Sequence, residues 1–191
     1  MARIIDGHPR GALVSRGDAF STLARSIVGQ QISVKAADAV WGRFRAACGE
    51  EITPRSVLRR RATTLRSCGL SERKVEYIRD LCEHFVSGRV DPARFAGQGD
   101  EAIIEELTDI RGIGRWTAEM FLIFNLLRPN VLPLDDLGLL RAVSLHYLDG
   151  EAIAGREGRA RVEALAAVWA PWRSVATWYL WRSLDPVPVE Y

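Results

Sequence analysis

Apolar residues along the chain recur mainly at spacings of three and four. Phe20, Leu23 and Ile27 form one such set, and Ile78 and Cys82 belong to another. This spacing places the apolar side chains on one face of a helix, whereas the strict alternation typical of a half-buried strand is nearly absent. The sequence therefore predicts an all-α protein.

The predicted helices are separated by short loops that contain glycine or proline. Asp18, Ser33, Ser71 and Asp100 each precede a predicted helix and are residue types that cap helix N-termini. The predicted helices cover about 18–29, 33–47, 55–66, 71–87, 100–109, 115–127, 136–147, 157–169 and 173–183. No internal repeat and no long linker interrupts this pattern, so we expect one helical unit.

Composition narrows the class of protein only slightly. The 191 residues are 48% hydrophobic and 26% charged, as in ordinary globular proteins. The net charge is +2, but 24 of the 26 basic residues are arginine, a side chain suited to phosphate. The first ten residues lack the apolar region of a secretory signal, and no stretch approaches the ~20 apolar residues of a membrane span. We therefore expect a cytoplasmic protein without a membrane role.

The three cysteines do not have the spacing of a metal site. Cys48, Cys68 and Cys82 contain no CxxC pair and are too far apart to suggest a zinc or iron–sulfur site. We interpret them as reduced, small hydrophobic side chains on helices.

The segment from Leu107 to Ala118 has the pattern of two helices joined by a tight turn. Gly112 and Gly114 flank Ile113 in this turn; glycine permits positive φ and lets a ligand approach the backbone. The unpaired N–H groups at the start of the following helix favour an anion such as phosphate. A glycine turn alone is more often only a connection between helices.

The full string LxxIRGIGRWTAE resembles the helix-hairpin-helix motif of base-excision DNA glycosylases. Three further segments, at 23–37, 65–78 and 134–139, extend the resemblance to about residues 18–184. With these segments the sequence resembles the 3-methyladenine DNA glycosylase II family. Larger relatives carry an additional N-terminal β domain, and we expect no counterpart of it in this sequence. The resemblance implies DNA phosphate at the turn and a monovalent cation, Na⁺ or K⁺, at the carbonyls of Ile110 and Gly112. The DNA-binding residues it implies are Gly112, Ile113, Gly114, Arg115, Thr117, Gln30 and Gln31.

Two adjacent carboxylates, Asp135 and Asp136, open the helix that follows the hairpin. The ordinary use of Asp in this position is an N-cap. The string LPLDDLGL resembles the segment that carries the essential aspartate of these glycosylases, and its register favours Asp136 as the catalytic residue. Asp135 is then the better candidate for a cap or for a neighbour that tunes its partner. A buried Asp anion can stabilise the electron-poor sugar formed when a base leaves, and it can orient or deprotonate water. We therefore expect no metal or other cofactor in the chemistry.

The resemblance singles out Trp116, Met120 and Trp181 as walls of a pocket for the damaged base. Indole faces attract a cationic methylated purine, although most tryptophans are simply part of a core. Met120 stands where relatives carry an aromatic residue, so the shape of the pocket is open.

The resemblance also implies a side chain that fills the space left by an extruded nucleotide, an extrusion that costs a few kcal/mol. Gln31 is the first candidate, Gln30 is a helper, and Ile32 is the alternative. A polar bend between two helices is an equally good interpretation of either glutamine alone.

These observations predict two helical lobes that flank a DNA-binding cleft. Lobe 1 is expected at about 32–128, and lobe 2 at about 1–31 plus 129–191. The expected activity, from a monomer on double-stranded DNA, is hydrolytic release of 3-methyladenine or 7-methylguanine.

Three alternatives remain. A glycosylase with lyase activity needs a lysine where Trp116 stands, and a mismatch adenine glycosylase usually has four clustered cysteines. A DNA-binding module without catalysis would leave the Asp136 segment without a purpose.

Overall fold

The computed structural model describes residues 1–8, 13–49 and 51–184. Within these residues the protein has eleven α-helices, two 3-10 helices and no strand, which confirms the all-α prediction. The α-helices are α1 Ala2–Gly7, α2 Ala19–Gly29, α3 Val34–Cys48, α4 Pro54–Leu58, α5 Ala62–Ser67, α6 Glu72–Val86, α7 Asp100–Thr108, α8 Arg115–Phe124, α9 Leu137–Tyr147, α10 Gly155–Leu165 and α11 Arg173–Leu184. The 3-10 helices are Pro92–Gly97 and Ala166–Trp169. None of the described helices combines the length and the apolar character that a membrane span requires.

The chain divides into two compact units. The hairpin unit comprises Arg16–Phe121, and the carboxylate unit comprises Met1–Ser15 and Leu122–Glu190, as far as these residues are described. Residues 185–191 of the expected second lobe lie outside the described residues. The boundary expected near residue 128 falls instead between Phe121 and Leu122.

The hairpin unit is organised around α6, which packs against α2, α4 and α5. Leu23 and Ile27 on α2 are completely buried, and α2 packs on α3 and α6. This corrects the expected lobe boundary: residues 16–31 belong with the middle of the chain, because the apolar face of α2 is buried against α3 and α6.

In the carboxylate unit, α9 packs on α11, and α11 also contacts α1 and the second 3-10 helix. Their buried faces form one core, which consists of Ile4, Leu139, Ala142, Val143, Leu148, Val162, Ala166, Trp169, Ala176 and Leu180.

Helix ends follow the sequence signals at most positions. The side chains of Asp18, Ser33 and Ser71 each accept a backbone N–H in the first turn of the following helix, as predicted. Asp100 is not a cap: Gly99 is the N-cap of α7, and Asp100 lies in the first turn. The predicted helix at 55–66 is two helices, because Arg61 is extended, with ψ 146°.

The cysteines are free and buried, as interpreted from the sequence. Burial raises the pKa of the Cys48 thiol to about 11 and that of Cys82 to about 12. Both thiols are therefore neutral near pH 7 and act as small core side chains.

Candidate functional site

Asp136 is a buried carboxylate at the start of α9, with only 5% of the residue exposed. Its Oδ1 accepts the backbone N–H of Leu139 at 2.6 Å and the indole Nε1–H of Trp181 at 2.7 Å. Its own N–H donates to the carbonyl of Pro133 at 2.9 Å. Two donors on one oxygen, together with the positive end of the α9 dipole, stabilise an anion in a fixed orientation.

Asp135 is in a different environment. Its side chain is 55% exposed and forms an ion pair with Arg159, with Oδ1 to Nε at 2.8 Å. The expectation that Asp135 supplies the cap is therefore wrong, because Asp136 itself caps α9. Of the two adjacent carboxylates, Asp136 is the one that the fold buries.

Helix α11 positions the loop that leads to Asp136. The hydroxyl of Ser174, at the start of α11, donates to the carbonyl of Arg128 at 2.5 Å and accepts the N–H of Val131 at 2.9 Å. Trp181 lies seven residues later, two turns along the same face. Its ring stacks on Phe124, with centroids 5.7 Å apart and planes at 19°. One helix thus holds both the incoming loop and the carboxylate.

Gly138 leaves the space in which Asp136 and Trp181 meet. A Cβ at this position would lie 3.0 Å from Cδ1 of Trp181 and 3.1 Å from Oδ1 of Asp136, both closer than ordinary van der Waals contact. A larger residue would therefore displace one of the two side chains.

The hairpin turn, residues 110–114, is formed as the sequence predicts. Ile110 and Ile113 are buried, and the N–H of Ile113 donates to the carbonyl of Ile110 at 3.1 Å. Gly112 has φ +83°, and a Cβ there would collide with the ring of Tyr77. Gly114 does not have positive φ, and a Cβ there would meet nothing within 4 Å. Helix α8 begins directly after the turn, so its first N–H groups and its dipole can hold an anion.

The two carbonyls predicted to hold a monovalent cation already accept hydrogen bonds. The oxygen of Ile110 accepts from Ile113, and that of Gly112 accepts the side-chain amide of Gln30 at 2.7 Å. A cation would have to use the second lone pair of each oxygen, so these residues fit such an ion only in part.

Arg115 and Thr117 are not simply presented to solvent. The guanidinium of Arg115 forms two hydrogen bonds with Glu101, at 2.6 and 2.9 Å, and one with Glu119 at 3.0 Å. The hydrogen bonds from Arg115 lower the pKa of Glu101. Thr117 is buried, with 9% exposed. Contact of the Arg115 side chain with phosphate would therefore compete with Glu101.

The three predicted pocket residues lie in different environments. Trp116 is half-buried near the start of α8, and Met120, one turn later, is 6% exposed. Both belong to the hairpin unit, whereas Trp181 belongs to the carboxylate unit and contacts Asp136. A shared pocket for the three stays a prediction.

The wedge turn, residues 30–32 between α2 and α3, presents Gln31 at its tip. Gln31 is exposed and has φ 59°, in the left-handed region that non-glycine residues rarely adopt, and Ile32 is 40% exposed. The side-chain amide of Gln30 donates to the carbonyl of Gly112 in the hairpin turn, and its expected role beside DNA stays a prediction.

Comparison with known proteins identifies the family. Residues 24–171 match the HhH-GPD superfamily of base excision DNA repair proteins. DNA-3-methyladenine glycosylase 1 of Schizosaccharomyces pombe is 32% identical over 187 residues, which cover 96% of this chain and 80% of that protein.

Two solved structures are also similar. A DNA-3-methyladenine glycosidase from Bacillus halodurans is 39% identical, with TM-score 0.88. The match covers 96% of this chain and 83% of the glycosidase chain. A 3-methyladenine DNA glycosylase of S. pombe in complex with abasic DNA has TM-score 0.81 and 31% identity, covering 100% of this chain and 92% of its own.

The chain belongs to the HhH-GPD superfamily. Several residues that shape the site of this HhH-GPD protein were missed in the sequence. In the sequence, Ser174 has no feature that distinguishes it from other helix residues. The contact of Tyr77 with Gly112 joins distant parts of the chain, so local spacing does not predict it. Two signals were available. Gly138 is a glycine in the first turn of a predicted helix, and Lys74 is one of two lysines among 26 basic residues.

Proposed function

We propose that this HhH-GPD protein is a monofunctional DNA glycosylase. It hydrolyses the N-glycosidic bond of alkylated purines, of the 3-methyladenine and 7-methylguanine type, in double-stranded DNA and leaves an abasic site. Asp136 is the catalytic carboxylate. The names of the similar proteins support this substrate class.

The observation that carries the proposal is the environment of Asp136. A carboxylate with 5% exposure, whose Oδ1 accepts two hydrogen bonds, is oriented before any substrate arrives. Such preorganised charge is worth much more than the same charge in water, because little energy is spent on reorientation. The hydrogen bond from Trp181 is additional to the one by which Asp136 caps α9.

The chemistry requires little beyond this anion. A purine methylated at N3 or N7 is cationic and leaves readily, so the main task is to stabilise the electron-poor sugar. The Asp136 anion stabilises that positive charge, and it can accept a proton from the attacking water. The hairpin turn contributes backbone N–H groups at the start of α8 that hold a phosphate of the DNA.

The lysines support the proposal that there is no lyase step. Trp116 occupies the position at which lyase relatives carry a nucleophilic lysine. The sequence contains two lysines, Lys35 and Lys74. The Nζ of Lys74 donates to two backbone carbonyls, at 2.7 and 2.8 Å, and the side chain is therefore engaged.

Chromatography of free bases released from methylated DNA tests the function directly. We expect 3-methyladenine or 7-methylguanine in the soluble fraction and alkali-labile abasic sites in the DNA. Unmethylated DNA of the same sequence is the control. Failure to release either base, by protein shown to be folded, would overturn the proposal.

Borohydride treatment during turnover tests the monofunctional assignment separately. We expect no covalent protein–DNA adduct, because a tryptophan stands where lyase relatives carry the lysine that forms a Schiff base. A trapped adduct would overturn the monofunctional part while leaving base release intact.

A further inference from the structure

Lys74 on α6 holds the end of α2 and the beginning of the wedge turn. Its Nζ donates to the carbonyl of Val28 at 2.8 Å and to that of Gln30 at 2.7 Å. The last carbonyls of a helix lack partners within the helix and carry the negative end of its dipole, so an ammonium group stabilises them. Because the side chain is partly buried, its pKa is lowered. The chain therefore enters the wedge turn from a fixed point.

Gln30 connects the wedge turn directly to the hairpin turn. Its backbone carbonyl is held by Lys74, and its side-chain amide donates to the carbonyl of Gly112 at 2.7 Å. These two turns are 82 residues apart in sequence. The connection places Gln31, the next residue, at a defined position relative to the hairpin.

Helix α6 also holds the hairpin turn. The ring of Tyr77 lies against Gly112, and Oδ2 of Asp80 accepts the backbone N–H of Arg111 at 2.7 Å. Lys74, Tyr77 and Asp80 are three residues apart and occupy successive turns of α6. One helix face therefore contacts both the wedge turn and the hairpin turn.

The backbone of Gln31 needs such support. A non-glycine residue in the left-handed region persists where its surroundings determine its conformation. The hydrogen bonds from Lys74 and the amide of Gln30 fix the residues immediately before Gln31. Without them the turn can relax, and the exposed side chains at its tip lose their defined direction.

We propose that Lys74 and Gln30 are positioning residues that set the wedge turn at a fixed distance from the phosphate held by the hairpin. A side chain that fills the base stack (the plug) is useful only if it enters where a nucleotide has been extruded. The position of that nucleotide is fixed relative to the phosphate that the hairpin turn holds. This inference rests on the proposed function. Lys74 itself is not proposed to contact DNA.

The test compares two substrates that differ in the cost of extruding the target. One duplex carries 7-methylguanine paired with cytosine, and the other carries it opposite an abasic site, where it is unpaired. Lys74→Met keeps most of the side-chain length and removes the donors. Arg79→Met is the matched control, because Arg79 lies on the same helix and donates to a loop carbonyl, that of Arg60, at 2.7 Å.

We expect Lys74→Met to slow single-turnover release from the paired target about ten-fold, the scale expected for loss of hydrogen bonds from a charged group. Release from the unpaired target should change much less. Gln30→Met should show the same selectivity with a smaller loss. Lys74→Arg should recover part of the rate, because a guanidinium can also donate to two carbonyls. Arg79→Met should leave the ratio of the two rates unchanged.

Equal losses on paired and unpaired targets, or no loss on either, would overturn the positioning role. Circular dichroism melts show whether each variant folds. If Lys74→Met does not fold, Gln30→Met, which removes one neutral hydrogen bond, is used for the same comparison of paired and unpaired targets. Wild-type protein that released no base from either duplex would instead overturn the proposed function, and the plug role with it.

Discussion

Replacing Gly138 with alanine distinguishes the effect of this residue on helix stability from its effect on the activity of the site. Gly138 is the second residue of α9. Alanine is favoured over glycine by about 1 kcal/mol in a helix interior, so in this first turn α9 alone should gain a smaller amount of stability. The new Cβ, however, would lie 3.0 Å from Trp181 Cδ1 and 3.1 Å from Asp136 Oδ1. To restore ordinary contact, the ring or the carboxylate must retreat by about 0.3–0.4 Å.

The expected loss of activity follows from that displacement. Misplacement of a catalytic group by about 1 Å can cost ~100-fold in rate, so a third of that distance predicts about five-fold. Gly138→Ala should therefore release 7-methylguanine about five times more slowly while its melting temperature changes little, because the small gain in helix preference opposes the strain of the contact.

Gly42→Ala is the control for adding a methyl group to a helical glycine that has no close neighbour. Gly42 lies within α3, and a Cβ there would meet nothing within 4 Å. This variant should gain stability and keep the wild-type rate. Single-turnover assays and circular dichroism melts of both variants provide the comparison. A normal rate for Gly138→Ala would refute the claim that the close contact between Asp136 and Trp181 matters for catalysis.

Three further predictions concern residues expected to lie near DNA. Gly114→Val, at a position with open space for a side chain, should weaken binding to all DNA sequences alike in fluorescence anisotropy; unaltered affinity of the folded variant would remove the hairpin from phosphate binding. Gln31→Ala should slow excision from paired targets more than from unpaired targets, and equal losses would exclude Gln31 as the plug. Glu101→Gln weakens the ion pair of Arg115, so DNA binding should tighten and the log–log salt slope should become more negative by up to about 0.9; an unchanged slope would contradict the competition between Glu101 and phosphate for Arg115.

The sequence predicted the helices well because apolar spacing and capping residues act locally. Asp18, Ser33 and Ser71 cap the helices that they precede, and the glycine turn at 112–114 lies between two helices as expected. The break at Arg61 was missed, because nothing in the composition of that segment opposes a continuous helix.

Contacts between distant segments could not be predicted in the same way. Gln30 donates to a carbonyl in the hairpin turn, and Asp136 accepts a hydrogen bond from a tryptophan 45 residues later. Neither pair has a signature in local spacing. The choice between Asp135 and Asp136 came from resemblance, and the difference in their burial is a property of the folded chain.

The most direct test of the account compares Asp136→Asn with Asp135→Asn in single-turnover release of 7-methylguanine, with melts alongside. In Asp136→Asn the amide oxygen of the new side chain can still accept both hydrogen bonds, so the fold should survive while the stabilising anion is lost. We predict a rate loss of at least ~100-fold for Asp136→Asn, the scale for removing one preorganised stabiliser. Asp135→Asn loses an exposed ion pair and should change the rate little. A near-normal rate for Asp136→Asn, or an inactive Asp135→Asn, would contradict the assignment of the catalytic carboxylate.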